Sequence, residues 1–519
     1  MNPQPQVYGF HTLDLDFQAL SEQATGQVRE LHSYVDRQNP VRKNQYTGLF
    51  HGKNLIMITA EAFSAGVIDP ELTPTLYRMA TRGINFTDYY QPSSAGTTGG
   101  EYQNIFGFLP ASGGRSLKNT ADHLNYFTMG SQLDRLGYYG KAFHNNLYTY
   151  YDRHKTHNNL GYSDGYMGYG NGMEQYVEDR WPQSDLEMIQ RTLPTYIDNS
   201  PFNIYYMTVS GHSSYNRIGN YQSKKHWDRV AHLDCSDEVK AYLAANLELE
   251  DAMTYLISQL EDKAIADDTV ICIASDHFPY GLESSSLEEL YGYPVTDSFR
   301  RDHSRLILWC GSLEDEDPIV VGAPTSSLDI VPTLSNLMGT EYDSRLFPGR
   351  DALSDADPLV FNLAYDWKTD LGTFLASTGK FTAAEGVTVP EGYVKRMQNT
   401  VRNKVRYCKG GSGYGLLPAF DGTGERRRIG HRPQQFSHKM KQGPVDFFHR
   451  PFGMFVSLFI AVFVPFFIFL FPLGTLLVFV VELSFLRLSF CHAPLTLGSA
   501  FLALANLTPL QHHESPEQE

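Results

Sequence analysis

This 519-residue sequence predicts an α/β fold, a mostly parallel sheet flanked by helices, and three observations carry that expectation. Wholly apolar runs of strand length recur along the chain, as in Asn54-Leu-Ile-Met-Ile-Thr59. Segments with helix start and stop signals separate them, and small or polar residues collect where the runs end. Runs apolar on both faces belong to parallel sheets, and regular alternation of strand and helix gives an α/β layer fold. In such sheets functional groups gather at the carboxyl ends of the strands.

Residues 1–50 are polar and mixed and read as a helix and a lead-in segment. The first strand follows at Asn54–Thr59. Thr73-Pro74 then opens a helix to Arg82, with Thr73 as N-cap, Pro74 in the first helical position and Gly83 as C-cap. Further strands are expected at Gly140–His144, Phe202–Val209, Thr269–Ala274 and Arg305–Trp309, and helices at Glu101–Gly107, Glu238–Asp262 and Leu328–Met338. A catalytic domain over residues 51–345 is thereby outlined. Residues 346–409 read as a small α+β addition that closes with an amphipathic helix from Glu391 to about Tyr407. From 410 to 519 the character changes. A Gly-Ser-Gly-Tyr-Gly segment and a basic run lead to an apolar stretch over 451–481, which holds no charged residue and is long enough to span a bilayer.

A hydrophobic share of 42% with 19% charged residues is globular, so the chain can bury a large core. The formal net charge of −16 argues against a nucleic-acid partner, which would need a basic face. Five cysteines without CxxC spacing suggest neither a disulfide framework nor a zinc cluster. The N-terminus lacks the basic and apolar regions of a signal peptide.

Chemistry-bearing residues sit where strands end. The first strand finishes at Glu61, the strand over 269–274 runs into Asp276-His277, and the one after Phe202 leads to His212. Between the first two strands lies the small-residue loop Gly96-Thr97-Thr-Gly-Gly-Glu101. Two carboxylates, an imidazole and a hydroxyl can hold a divalent cation that lowers the pKa of the hydroxyl and stabilises charge on a phosphoryl group. Oxygen-rich ligation with one nitrogen favours Mn²⁺ or Mg²⁺ over Zn²⁺. Singly, each residue has a plainer reading: a solvated loop Glu, a turn of small residues, a hydrogen-bonded structural His. Their joint order along one α/β chain is what carries the argument.

That order resembles the lipoteichoic acid synthase family, phosphoglycerol transferases of the sulfatase and alkaline phosphatase superfamily. The resemblance runs over about residues 50–409, through Lys53–Phe63, Thr73-Pro-Thr-Leu, Gly96–Tyr102, Ala142-Phe-His144, Ser210-Gly-His212 and Ser275-Asp-His277. It implies a sulfatase-like fold in which Glu61, Thr97, Asp276 and His277 bind Mn²⁺, with Mg²⁺ as the alternative, and Thr97 is the nucleophile. It also implies that Arg153 binds phosphate, that Tyr151 stands where the family usually has Trp, and that His212 is a substrate-side histidine handling protons. Thr98 replaces Thr97 if the loop register is off by one. A cysteine-type sulfatase is disfavoured, because no cysteine lies in a Cys-x-Pro-x-Arg context.

The family's activity implies a phosphatidylglycerol-like anionic lipid donor, a glycolipid or polymer acceptor, and an extracytoplasmic domain at the cell membrane. A phosphoethanolamine transferase, a phosphodiesterase and a catalytically silent binding module are the alternatives. Family members carry N-terminal membrane helices, so residues 1–50 read as the remnant of a linker after such helices. The basic run before 451–481 would place the preceding domain in the cytoplasm, against the family's topology. Two readings answer that conflict: a genuine C-terminal anchor, or a reading frame shifted near codon 411. In the second, one choice of codons that can encode Gly411-Ser-Gly-Tyr-Gly-Leu-Leu-Pro418, read one base later, gives Val-Leu-Asp-Thr-Asp-Tyr-Tyr, which resembles the usual family ending.

Overall fold

The computed structural model describes residues 7–92, 95–122 and 125–410. The apolar stretch at 451–481 and the frame question therefore lie outside the described residues, and no described helix is long and apolar enough to cross a membrane.

The largest sheet is built from β1 (Asn54–Ala60), β2 (Ile84–Phe86), β4 (Tyr139–Leu147), β5 (Tyr166–Tyr169), β6 (Phe202–Met207), β7 (Thr269–Ser275), β9 (Ile307–Cys310) and β10 (Ile319–Val321). The strand order is β10-β2-β9-β7-β1-β6-β4-β5. β1 pairs in parallel with both β6 and β7, and β4 with β5 and β6. β9 runs antiparallel to β7 and β2, and it begins at Ile307 rather than at Arg305. A small sheet joins β3 (Tyr89–Tyr90), β8 (His303–Ser304) and β11 (Thr325–Ser326). A C-terminal antiparallel sheet joins β12 (Val360–Phe361), β13 (Trp367–Thr369), β14 (Gly372–Leu375) and β15 (Lys380–Ala383).

Strand alternation sorts the apolar side chains into two cores, one on each face of the large sheet. Leu55, Met57, Tyr205, Met207, Val270 and Cys272 enter one; Ile56, Ile58, Ile204, Tyr206, Ile271 and Ile273 enter the other. Each such side chain contributes about 1.5–3 kcal/mol when taken out of water. The second core is covered by the helix Asp237–Asp262, which presents Leu247, Met253, Leu256 and Leu260. Its N-cap is Ser236, whose side chain accepts from Val239 N, and Asp237 and Glu238 in the first turn suit the helix dipole.

The N-terminal segment is more than a lead-in. From Val7 onward it folds onto the domain as α1 (Phe17–Gln23) and α2 (Gly26–Asp36), and Phe17, Val35 and Phe50 are buried in the first core. The Tyr34 ring on α2 stacks on Tyr407 of the C-terminal helix Tyr393–Gly410, centroids 4.7 Å apart. The two ends of the described chain thus brace each other.

α3 (Pro74–Arg82) forms as the sequence dictates, with Pro74 in its first position and Thr73 at the N-cap. The Thr73 hydroxyl does not cap the helix; it donates to Val67 O at 2.6 Å. α4 (Gly96–Phe106) begins five residues before the expected Glu101. Helix propensity disfavours Gly-Thr-Thr-Gly-Gly, but tertiary packing overrides it. A Cβ on Gly100 would lie 1.6 Å from the Asp276 carbonyl oxygen, so only glycine lets the helix approach the end of β7.

Candidate metal centre and active site

The sheet order makes β7, β1, β6 and β4 neighbours, so the four chain segments leaving their carboxyl ends converge. Glu61 follows β1, Asp276 and His277 follow β7, His212 follows β6, and Tyr151 and Arg153 follow β4. α4 brings Thr97 to the same place, in its first turn. The side-chain donors of Glu61, Asp276 and His277 all lie within 4.8 Å of one another. His277 Nε2 is 3.3 Å from Glu61 Oε1 and 3.2 Å from Asp276 Oδ2.

Local backbone chemistry fixes each of these groups. Asp276 Oδ1 accepts from Ala62 N at 2.8 Å and from His277 N at 2.7 Å. Ala62 donates from a left-handed conformation, φ 51°, that non-glycine residues seldom adopt. His277 Nδ1 donates to Phe278 O at 2.8 Å, which leaves Nε2 facing the carboxylates. Glu61 N donates to Thr208 Oγ1 at 3.0 Å. Gly211 lets the His212 loop approach, since a Cβ there would meet Glu61 O at 2.2 Å.

The electrostatics fit a cation. Asp276 Oδ2 is buried and, despite its 3.2 Å approach to His277 Nε2, has no partner in hydrogen-bonding geometry. Burial, then the neighbouring Glu61 charge, pushes the Asp276 carboxyl up to about 8. Burial lowers His277, but Asp276 and Glu61 outweigh it and raise the imidazole to about 9. Burial likewise raises Glu61, yet the hydrogen bond and charge of His277 hold it below the usual carboxylate range. A positive charge among the three donors satisfies all of them, and their chemistry suits a divalent ion.

Thr97 Oγ1 donates to Glu61 Oε2 at 3.3 Å and lies 3.2 Å from His277 Nε2. Thr98, the other register, is buried within α4 at 3% exposure. Thr97 therefore presents its hydroxyl to the cluster at a helix N-terminus, where unpaired N–H groups and the dipole favour an anion.

The remaining expected residues are placed differently. His212 is half-buried, with Nδ1 donating to Ser213 O at 2.7 Å, so Nε2 is its free nitrogen. Tyr151 is 46% exposed and left-handed, φ 52°. Arg153 is 1% exposed, and its Nε donates to Glu101 Oε2 at 2.9 Å. Sequence reasoning gave it a phosphate; the fold gives it a carboxylate partner as well.

Several neighbours escaped sequence reasoning. Trp181 packs edge-on against His212 with centroids 4.9 Å apart, and Tyr280 lies against His277 at 4.3 Å and reaches Thr97 with its hydroxyl. Buried Asp185 accepts from Val209 N at 3.0 Å and Asn145 Nδ2 at 2.8 Å, as well as from the Ser210 hydroxyl, tying the His212 loop to β4. The signal for Asp185 was faint: Ser184-Asp185 reads only as a helix start.

Residues 53–340, more than half of the chain, match the family model described as Sulfatase. The chain is 21% identical over 371 residues to a lipoteichoic acid synthase-like protein of Bacillus subtilis, an alignment covering 67% of this chain and 58% of that protein. It is 23% identical over 340 residues to the lipoteichoic acid synthase of Staphylococcus saprophyticus, covering 62% and 51% respectively. The chain thus spans about half the length of the curated relatives it matches. Among solved structures, the lipoteichoic acid synthase LtaP of Listeria monocytogenes superposes with a TM-score of 0.60 at 20% identity, over 73% of this chain and 97% of that one. An alkaline phosphatase superfamily protein of Vibrio parahaemolyticus superposes at 0.53 and 15% identity, over 78% and 98%. Both share the alkaline phosphatase-like fold.

Proposed function

The chain belongs to the sulfatase family, and on that premise we propose that it transfers a phosphoglycerol group from a phosphatidylglycerol-like lipid through a covalent threonine intermediate. The observation that carries this reading is the Thr97 hydroxyl, 3.3 Å from Glu61 and 3.2 Å from His277 at the start of α4. A threonine hydroxyl is a poor nucleophile at neutral pH unless a base or cation activates it. Glu61, Asp276, His277 and Thr97 would hold a divalent ion, Mn²⁺ before Mg²⁺, which would supply Lewis acidity to this hydroxyl and to the phosphoryl oxygens.

The chain's own residues do the rest. The first-turn N–H groups of α4 and the Arg153 guanidinium orient the phosphoryl group. Thr97 Oγ1 attacks phosphorus, its proton passing to Glu61 Oε2, and the bond to the diacylglycerol oxygen breaks. His212 Nε2 hands a proton to that leaving oxygen. An acceptor hydroxyl of a glycolipid or polymer then gives a proton to His212 Nε2 and attacks phosphorus; the bond to Thr97 Oγ1 breaks, and that oxygen takes its proton back from Glu61 Oε2. Tyr151 and Trp181 line the approach to His212 and Arg153. Tyr151 in place of the family's usual Trp is the feature that favours a different headgroup, such as phosphoethanolamine. A lipid donor and the polymer named in the relatives' descriptions support a reading in which the enzyme acts at the cell membrane with its catalytic domain outside the cytoplasm.

The deciding experiment is intact-mass analysis after incubation with phosphatidylglycerol and Mn²⁺. A glycerophosphoryl adduct is expected on the peptide containing Thr97. Thr97→Ala should lose adduct and turnover while keeping its fold, and Thr98→Ala should keep activity. Normal turnover by Thr97→Ala sinks the covalent mechanism, and an adduct from phosphatidylethanolamine alone replaces the headgroup.

A further inference from the structure

Beneath the helix of the nucleophile lies a charged group for which the proposed reaction has no use. Glu101 sits one turn after Thr97 on α4, at 0% exposure. Its Oε2 accepts from Arg153 Nε at 2.9 Å and lies 2.8 Å from Nη2; its Oε1 accepts from His157 Nε2 at 3.0 Å and from the Tyr205 hydroxyl at 3.2 Å. Burial raises the Glu101 carboxyl, but the charges of Arg153 and His157 outweigh it and hold the group far below the usual range. Both oxygens are occupied and neither meets solvent, so Glu101 cannot touch a substrate.

Its partners come from other elements. Arg153 and His157 follow β4, and Tyr205 stands on β6. The backbone delivering Arg153 is strained, with Tyr151 and Asp152 both left-handed at φ 52° and 58°. Asp152 is pinned from outside by Lys118 and, at 3.5 Å, by Lys155. Arg153 Nη2, 2.8 Å from Glu101 Oε2, is buried with the rest of the guanidinium. A strained turn and a fully engaged carboxylate together describe a held group rather than a chance ion pair.

We propose that Glu101 is the positioning residue of the anion site: it locks the Arg153 guanidinium in the orientation in which it meets the phosphoryl group, and ties that group to the helix carrying Thr97. Nucleophile and anion donor then move as one unit, which keeps the reacting atoms in register. The inference rests on the reading above, in which Arg153 binds phosphate. His157 and Tyr205 act on the far side of the carboxylate, fixing its rotamer.

The test is inorganic phosphate binding to the full chain loaded with Mn²⁺, followed by calorimetry beside a Mn²⁺ titration of each variant. Glu101→Gln should weaken phosphate binding by about tenfold, the effect of losing one oriented charge-assisted hydrogen bond, with Mn²⁺ affinity unchanged. In an Arg153→Ala background the same substitution should add nothing, the coupling expected of a residue that works through its neighbour. Should Glu101→Gln fail to fold, Tyr205→Phe decides: it keeps the ion pair, removes one donor, and should weaken phosphate binding by about threefold. Phosphate binding that is equal in wild type and Glu101→Gln, or additive losses in the double variant, overturns the proposal. Wild type that takes Mn²⁺ but no phosphate overturns the functional reading, and the inference with it. Equal phosphate affinity in Arg153→Ala and wild type removes only the anion site described here.

Discussion

Gly100→Ala tests the contact on which the whole site depends. In an exposed helix this change would stabilise by about 0.8–1 kcal/mol, since alanine is the better helix former. Here the new Cβ would meet the Asp276 carbonyl oxygen at 1.6 Å, its carbon at 2.3 Å and its Cα at 2.5 Å. All three are backbone atoms, so no side chain can swing aside. Bringing the closest contact to 3.0 Å requires a shift of about 1.4 Å between α4 and the end of β7. Such overpacking costs about 1–3 kcal/mol, so the melting temperature should fall where propensity alone would raise it. The same shift carries Thr97 away from His277, now 3.2 Å distant. A 1 Å misplacement costs about a hundredfold in rate, roughly 2.7 kcal/mol of barrier, so kcat/KM on phosphatidylglycerol should drop at least that far. Gly219→Ala is the control, because its Cβ would meet only the Asn216 side chain at 3.5 Å. A Gly100→Ala enzyme that melts higher than wild type and turns over within threefold of it would refute the close approach of helix and strand.

Mn²⁺ at about one hundred times its dissociation constant should stabilise the wild-type chain by about 2.7 kcal/mol, and Asp276→Asn should lose most of that shift; equal thermal shifts would take Asp276 out of the metal centre. Burial raises Asp185 to about 6 against 3.8 for the free group, with hydrogen bonds from Ser210, Val209 and Asn145 opposing it. Its native form holds the proton more tightly, so its contribution is present below pH 3.8 and lost as pH rises through 6. The stability of wild type minus that of Asp185→Asn should therefore fall by about 3 kcal/mol across that window; a flat difference in denaturant melts counts against it. Deleting residues 1–37 removes Phe17 and Val35 from the first core and should cost several kcal/mol, at about 1.5–3 kcal/mol for each large side chain, seen as a lower urea midpoint; an unchanged midpoint would mean the N-terminal helices only rest on the domain.

The central strands were readable because burial on both faces leaves no ambiguity. Asn54–Ala60 and Thr269–Ser275 are buried at every position, and continuous apolar runs say so directly. The strands that escaped notice, such as Ile84–Phe86 and Tyr166–Tyr169, have three and four residues, too few to show any period. The N-terminal segment misled for a different reason. Its helices each offer only a few apolar residues, and α2 packs against the C-terminal helix Tyr393–Gly410, nearly four hundred positions away in the chain. Local pattern cannot report a partner so distant.

The same distinction runs through the site. Glu61, Asp276 and His277 follow directly from strands, so the end of an apolar run marks them, and the sheet order then makes those strands neighbours. Residues that orient them carry no such mark. Glu101 stands in the sequence only as the start of an expected helix, yet it accepts from three residues at once. Arg153, which the resemblance implies binds phosphate, has its charge already matched before any anion arrives. A buried arginine so matched is held in one geometry, and this suits orientation of a phosphoryl group better than steering of one from solution, which needs an exposed and unpaired charge. In the proposed reaction, attraction of an anionic donor would then rest on the cation held by Glu61, Asp276 and His277 and on the N-terminus of α4, while Arg153 would set the angle at which Thr97 meets phosphorus.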